Sequence, residues 1–119
     1  MVNAVPVRSE AATATIASGA SLSAAVDMQG RALTGILLPA AWTAAGVTFS
    51  VSHDGITYGD LYGESGEYSL TVGASSFVGL NPGALMGFRF IKVRSGTAAA
   101  AVNQAAQRDV ILMLGDFTR

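Results

Sequence analysis

Residues 46–62 read Gly-Val-Thr-Phe-Ser-Val-Ser-His-Asp-Gly-Ile-Thr-Tyr-Gly-Asp-Leu-Tyr, and the fold is decided there. Val47, Phe49 and Val51 alternate with Thr48, Ser50 and Ser52. A period of two marks a strand with one face buried and the other wet. His53-Asp54-Gly55 interrupts it, and Asp-Gly supplies the backbone angles of a tight turn. Ile56 and Tyr58 then restart the alternation, so the stretch predicts a β-hairpin, with Tyr58 directed to the core.

Outward from this hairpin the chain repeats the same pattern. Thr13 to Ile16 favours a strand, and Ser18-Gly19-Ala20-Ser21 a turn. Leu22, Ala24 and Val26 alternate with small residues up to the turn Asp27-Met28-Gln29-Gly30, with Gly30 as its positive-φ position. Leu33, Ile36, Leu37 and Leu38 make residues 31–38 apolar on both faces, as in a central strand, and Pro39 ends it. Tyr68, Leu70 and Val72 predict another half-buried strand, and residues 77–80 a short one before Asn81-Pro82-Gly83. Residues 88–94 and 108–114 close the series; the alanine-rich stretch 98–106 between them can be read as helix from alanine's intrinsic preference, or, among strands and without an obvious cap, as an irregular loop, which is the reading taken.

The count is about eight short strands with no long helix, which predicts one all-β domain, an antiparallel β-sandwich of jelly-roll type. The expected domain is 13–119. Residues 1–12 read as an N-terminal arm, or as a short edge strand through Val2, Val5 and Val7.

Composition narrows the function. Of 119 residues only 13% are charged, against about 25% in average domains, so the surface is made of small neutral residues suited to contact with other protein. The net charge of −1 with scattered basic residues argues against nucleic acid as a partner. Without cysteine, disulfides, thiol nucleophiles and cysteine-zinc sites are excluded. No stretch reaches the roughly 20 apolar residues of a membrane span, and the N-terminus has no secretion-signal pattern.

Catalytic and metal chemistry finds little support. His53, the single histidine, sits beside Asp54 at the hairpin tip, where Asp-Gly serves the backbone. Asp54, Asp60 and Glu64 offer oxygens for calcium but lack the spacing of a calcium loop. No serine elbow or phosphate loop is present. The chain is therefore read as non-enzymatic, without cofactor or metal. Trp42, Tyr58, Tyr62 and Tyr68 are the aromatics that could stack on a sugar ring. Trp42, next to Pro39, reads more simply as a plug at the end of the sandwich, and Tyr62 as the surface residue; Trp42 and Tyr62 are the candidate saccharide contacts. Arg89, Lys92 and Arg94 on one strand read either as a solvated edge or as salt-bridge donors to a neighbouring subunit. Ile111 and Met113 are apolar on the second face of the last strand, so they join the candidate subunit interface.

Trp42, the Ser52-His53-Asp54-Gly55 turn, and Arg89-Phe90-Ile91-Lys92-Val93-Arg94 followed by Asn103-Gln104 and a closing apolar strand resemble discoidin-type, galactose-binding-like jelly rolls. A second resemblance is to small structural proteins of tailed bacteriophages and prophages. It rests on the order of Gly30-Arg31-Ala32-Leu33-Thr34-Gly35-Ile36, Pro39-Ala40-Ala41-Trp42, the turn at 53–55, and Lys92 to Thr97, within Thr15–Leu114. It implies a virion component: a capsid decoration, head fibre or spike base, or a neck or tail part. The partners it implies are other virion proteins; the apolar residues on both faces of 31–38 and 108–114, with the low surface charge, add further copies of the chain, expected as a trimer or ring. The alternative is a carbohydrate-binding host-adhesion module.

Overall fold

The computed structural model describes residues 5–118, with side chains described for residues 10–116. Its strands are β1 (Val5–Ile16), β2 (Val26–Asp27), β3 (Ala32–Leu37), β4 (Val47–Ser52), β5 (Gly59–Asp60), β6 (Tyr62–Gly63), β7 (Gly66–Glu67), β8 (Phe77–Gly79), β9 (Phe90–Ser95) and β10 (Arg108–Thr118). Two four-stranded sheets carry the fold, in the orders β1-β10-β3-β8 (sheet A) and β2-β9-β4-β5 (sheet B), while β6 and β7 form a separate small hairpin.

The pairings are nested. β4 pairs β5, β3 pairs β8, β2 pairs β9, and β1 pairs β10, every pair antiparallel. Such nesting is a long hairpin rolled up so that successive pairs fall alternately in the two sheets. The bonds β10–β3 and β4–β9 then zip each sheet together. This is a jelly-roll sandwich, as the strand pattern predicts.

The core lies between the sheets. Ala14, Ile16, Leu33, Ile36, Val110, Leu112 and Leu114 fill it from sheet A, and Val47, Phe49, Val51, Ile91 and Val93 from sheet B, all buried. Phe49 is fully buried, its ring 6.2 Å from that of Tyr68. β3 and β10 are the two interior strands of sheet A: their inner faces build the core, and their outer faces carry Leu37, Ile111 and Met113, which are half-buried.

Four local expectations need correction. The arm boundary at residue 12 falls inside β1, because Ser9 to Ile16 pair continuously with Leu112 and its neighbours along β10 and the ladder reaches Val5; residues 1–4, with Val2, lie outside the described residues. The wet face of β4 is not wet: Thr48, Ser50 and Ser52 are as buried as their apolar neighbours. β4 is an interior strand whose outer face is covered by Arg94, so Thr48 donates its hydroxyl to the carbonyl of Gly96 at 2.7 Å. The strand does not restart at Ile56, which is 85% exposed; β5 begins at Gly59. Tyr68 to Val72 form no strand. Leu70 instead exchanges two backbone hydrogen bonds with Val47, of 2.8 and 3.1 Å.

The hairpin loop explains the Ser-x-Asp-Gly signal. Asp54 Oδ1 accepts the amides of Ile56 (2.8 Å) and Thr57 (2.9 Å) and the hydroxyl of Ser52 (3.0 Å), while Gly55 takes φ +79°. These donors, the Thr57 and Ile56 amides first, lower the Asp54 carboxyl from 3.8 to about 2. A carboxyl depressed on folding stabilises the native state above its unfolded pKa, and that contribution disappears as pH falls through the folded value. The melting-temperature advantage of the native chain over Asp54→Asn is therefore expected to be full above pH 4 and to shrink between pH 4 and 2. Thermal melts along that pH series check it; a gap independent of pH would show that the charge is not what the turn amides hold.

Candidate functional site

One end of the sandwich is tied by Gln104, which the sequence offers only as part of the Asn103-Gln104 pair in the galactose-binding-like resemblance, without a role of its own. Gln104 is fully buried. Its Oε1 accepts the Thr43 amide (2.8 Å) and Arg108 Nε (3.1 Å); its Nε2 donates to the Thr43 carbonyl (3.1 Å) and to Ser95 Oγ (2.7 Å). The backbone of Gln104 also bonds Gly19 and Ala20. Gln104, in the loop after β9, thus pins the loop after β3 and the end of β9 through its side chain, every polar site of which is used, and the loop after β1 through its backbone. Trp42 belongs to the same end. It is buried, its indole N–H on the Ala45 carbonyl at 3.1 Å, and its residual exposure of 7% opens onto a cleft of about 560 Å³ that Leu70, Val72 and Thr97 also line.

The basic residues of β9 face outward from sheet B but already have partners within the chain. Arg94, its side chain 12% exposed, bonds Asp60 (2.7 Å) and Glu67 (3.2 Å). Glu67 in turn accepts the Ala98 amide at 3.0 Å. This network fastens β5, β7 and the loop after β9 over β9. Lys92 Nζ sits 4.3 Å above the Tyr58 ring, a cation–π contact that holds Tyr58 half-buried on the outside of sheet B instead of in the core. Arg89 grips Asp27 with two bonds of 3.0 and 3.1 Å. Hydrogen bonds to Arg89 and to the Gln29 amide lower the Asp27 carboxyl, and those to Asp27 raise Arg89. Arg31 and Glu10 form a further ion pair at the end of sheet A. Lys92 and Arg94 therefore share the outer face of β9, Arg89 lies just before the strand against Asp27, and each is engaged locally.

The outer face of sheet A is different. Antiparallel register aligns Thr13, Ile111, Leu37 and Phe77 in one row across all four strands, and Ala11, Met113, Gly35 and Gly79 in the next. Neither row contains a charge. Phe77 is 72% exposed, and Ile111, Leu37 and Met113 are half-buried. Gly35 is needed for this surface: a Cβ there would lie 3.1 Å from the Met113 methyl and 3.2 Å from the Val78 carbonyl. Met113 occupies the space above Gly35, which keeps the face flat. The sequence does not group Phe77 and Leu37 with Ile111 and Met113, because only the register places them on one surface.

Tyr62 is 66% exposed on the β6–β7 hairpin. It opens onto a cleft of about 520 Å³ that Glu64, Tyr68 and Asn81 also line. His53 stands at the hairpin tip, its Nε2 3.8 Å from Asp54. Among the described residues no group of three or more histidine, aspartate or glutamate side chains could hold a metal ion, and no helix is long and apolar enough to cross a membrane.

The strand order defines an antiparallel jelly-roll β-sandwich. Among solved structures the fold is shared by the SPBc2 prophage-derived protein YomS, at a TM-score of 0.55 and 10% sequence identity, over 96% of this chain and 100% of that one. At that identity the likeness is one of fold. No family model matches the chain, and no curated protein does.

Proposed function

We propose that this chain is a non-enzymatic structural subunit of a bacteriophage particle, working by assembly with copies of itself and with other capsid, neck or tail proteins. The observation that carries the reading is the uncharged row Thr13–Ile111–Leu37–Phe77 on the outside of sheet A. A sandwich needs apolar residues only on its inner faces. Contiguous apolar residues on an outer face, in a chain so poor in charge, are what a protein–protein contact requires. The fold shared with a prophage-derived protein supports the same setting. A shell position, as decoration, head fibre or spike base, suits a small rigid module whose β9 cations are spent internally.

The test is the protein composition and cryo-electron microscopy of the native particle. The expected result is the chain in many copies on the shell, with Phe77 and Ile111 covered. Ring-like copy number at the neck or tail would relocate it within the same reading. Absence from particles would overturn the structural role and favour the second reading, a saccharide-binding adhesion module of the galactose-binding-like kind. For that reading the supporting observation is the Tyr62 cleft, an exposed ring beside Glu64 and Asn81.

A further inference from the structure

The two sheets have four edges, and they are unequal. β8 contributes 3 residues, β2 and β5 only 2 each, but β1 has 12. Short edges are a common protection against unwanted pairing, as are proline, bulges and charged side chains. β1 carries its proline and its register irregularity at one end, between Pro6 and Arg8. From Ala11 to Ile16 it reads Ala-Ala-Thr-Ala-Thr-Ile, with no charge, no proline and a continuous register against β10. One side of this segment is bonded to β10; the other, among the described residues, is an open margin of sheet A.

We infer that β1 pairs antiparallel with β1 of a second copy of this chain, centred on Thr13, so that the two A sheets run into one. The inference deepens the assembly reading and rests on it. The segment fits itself. About Thr13, Ala12 falls opposite the second copy's Ala14, and Ala11 opposite its Thr15, so small neutral residues meet small neutral residues and no like charges face each other. Thr13 meets its own symmetry mate on the outer face, where it is exposed. The contact is isologous and closes at two copies; any larger assembly then uses another surface. After pairing, the other edges of either sandwich are 2 or 3 residues long, and what stays open of β1 is its end at residues 5–9, where the proline and the register irregularity lie. A second copy is also the one partner present wherever the chain is made, which an unprotected edge of this length requires.

The chain has no cysteine, so a single introduced one reports this geometry cleanly. Directly opposed residues in an antiparallel pair have Cβ atoms about 4.5–5.5 Å apart, close enough for a disulfide after slight adjustment. Thr13→Cys is expected to give a covalent dimer on oxidation, and Thr71→Cys, exposed in a distant loop, is not. Light scattering of the native chain is expected to give twice the 12.1 kDa mass of the chain, and Thr13→Lys the single mass with an unchanged circular dichroism spectrum. A native mass of one chain at every concentration overturns the pairing. So does a dimer that survives Thr13→Lys, or one in which the Thr13→Cys variant fails to cross-link, since another surface then makes it. A chain found on particles but monomeric in solution refutes the edge pairing alone, whereas a cross-linking dimer absent from particles refutes the virion role alone.

Discussion

Gly96→Ala is expected to destabilise the fold by about 4 kcal/mol, a large part of the roughly 5–15 kcal/mol that holds a domain together. Two costs add. Gly96 has φ +87°, where an L side chain is strained by about 1–2 kcal/mol. A Cβ at this position would also lie 2.6 Å from the Ala100 carbonyl oxygen and 2.8 Å from the Val102 amide nitrogen. Both are backbone atoms and cannot swing aside. The loop after β9 would have to open, loosening the 2.9 Å bond from the Val102 amide to the Ser95 carbonyl and the 2.7 Å bond from Thr48. Gly19→Ala is the matching control. Its φ is +78° but nothing lies within 4 Å, so only the strain applies, about 1 kcal/mol. Urea unfolding of the two variants measures the difference, and equal losses would show that the contact around Gly96 is not tight.

Gln104→Leu is expected to cost about 3 kcal/mol although leucine nearly fills the same volume. The substitution strands the buried Ser95 hydroxyl and the half-buried Thr43 amide and carbonyl, and an unsatisfied buried group costs about 1–3 kcal/mol. Partial relaxation at the loops keeps the total below the sum. Because the loops after β1, β3 and β9 are joined here, the effect should be local as well as global. The Thr43 amide, which donates to Gln104, is expected to lose hydrogen-exchange protection more than the amides of β4. Stability within about 1 kcal/mol of the native chain, less than one stranded buried group costs, would remove Gln104 from its place as the tie between these loops.

Both positions show where sequence reasoning stops. Gly96 reads as the end of a strand, and nothing in Ser95-Gly96-Thr97 tells that the chain doubles back to bridge Gly96 with Ala101. Gln104 lies in an alanine-rich stretch that reads as an irregular loop. Its partners in the Thr43 loop lie 61 residues away in sequence. Arg94 was legible as a cation on an outward face, but its partners Asp60 and Glu67 arrive from separate strands.

What the sequence determined by itself was whatever depends on neighbours along the chain. Alternation at Val47–Ser52 and at residues 90–95 specified strands, because successive side chains must point to opposite faces. Asp54-Gly55 and Gln29-Gly30 specified turns through the backbone angles they allow. Apolar runs at residues 31–38 and 108–114 marked the interior strands of sheet A. From the number of strands and the lack of a long helix, the sandwich followed. Which strands became edges, and which residues share a face, was set by long-range contacts. Register aligned Ile111, Leu37 and Phe77. Strand order left β1 at a margin and put Thr48, Ser50 and Ser52 under cover. Those outcomes depend on contacts between segments far apart in the chain, and a local period of two carries no information about what lies across the sheet.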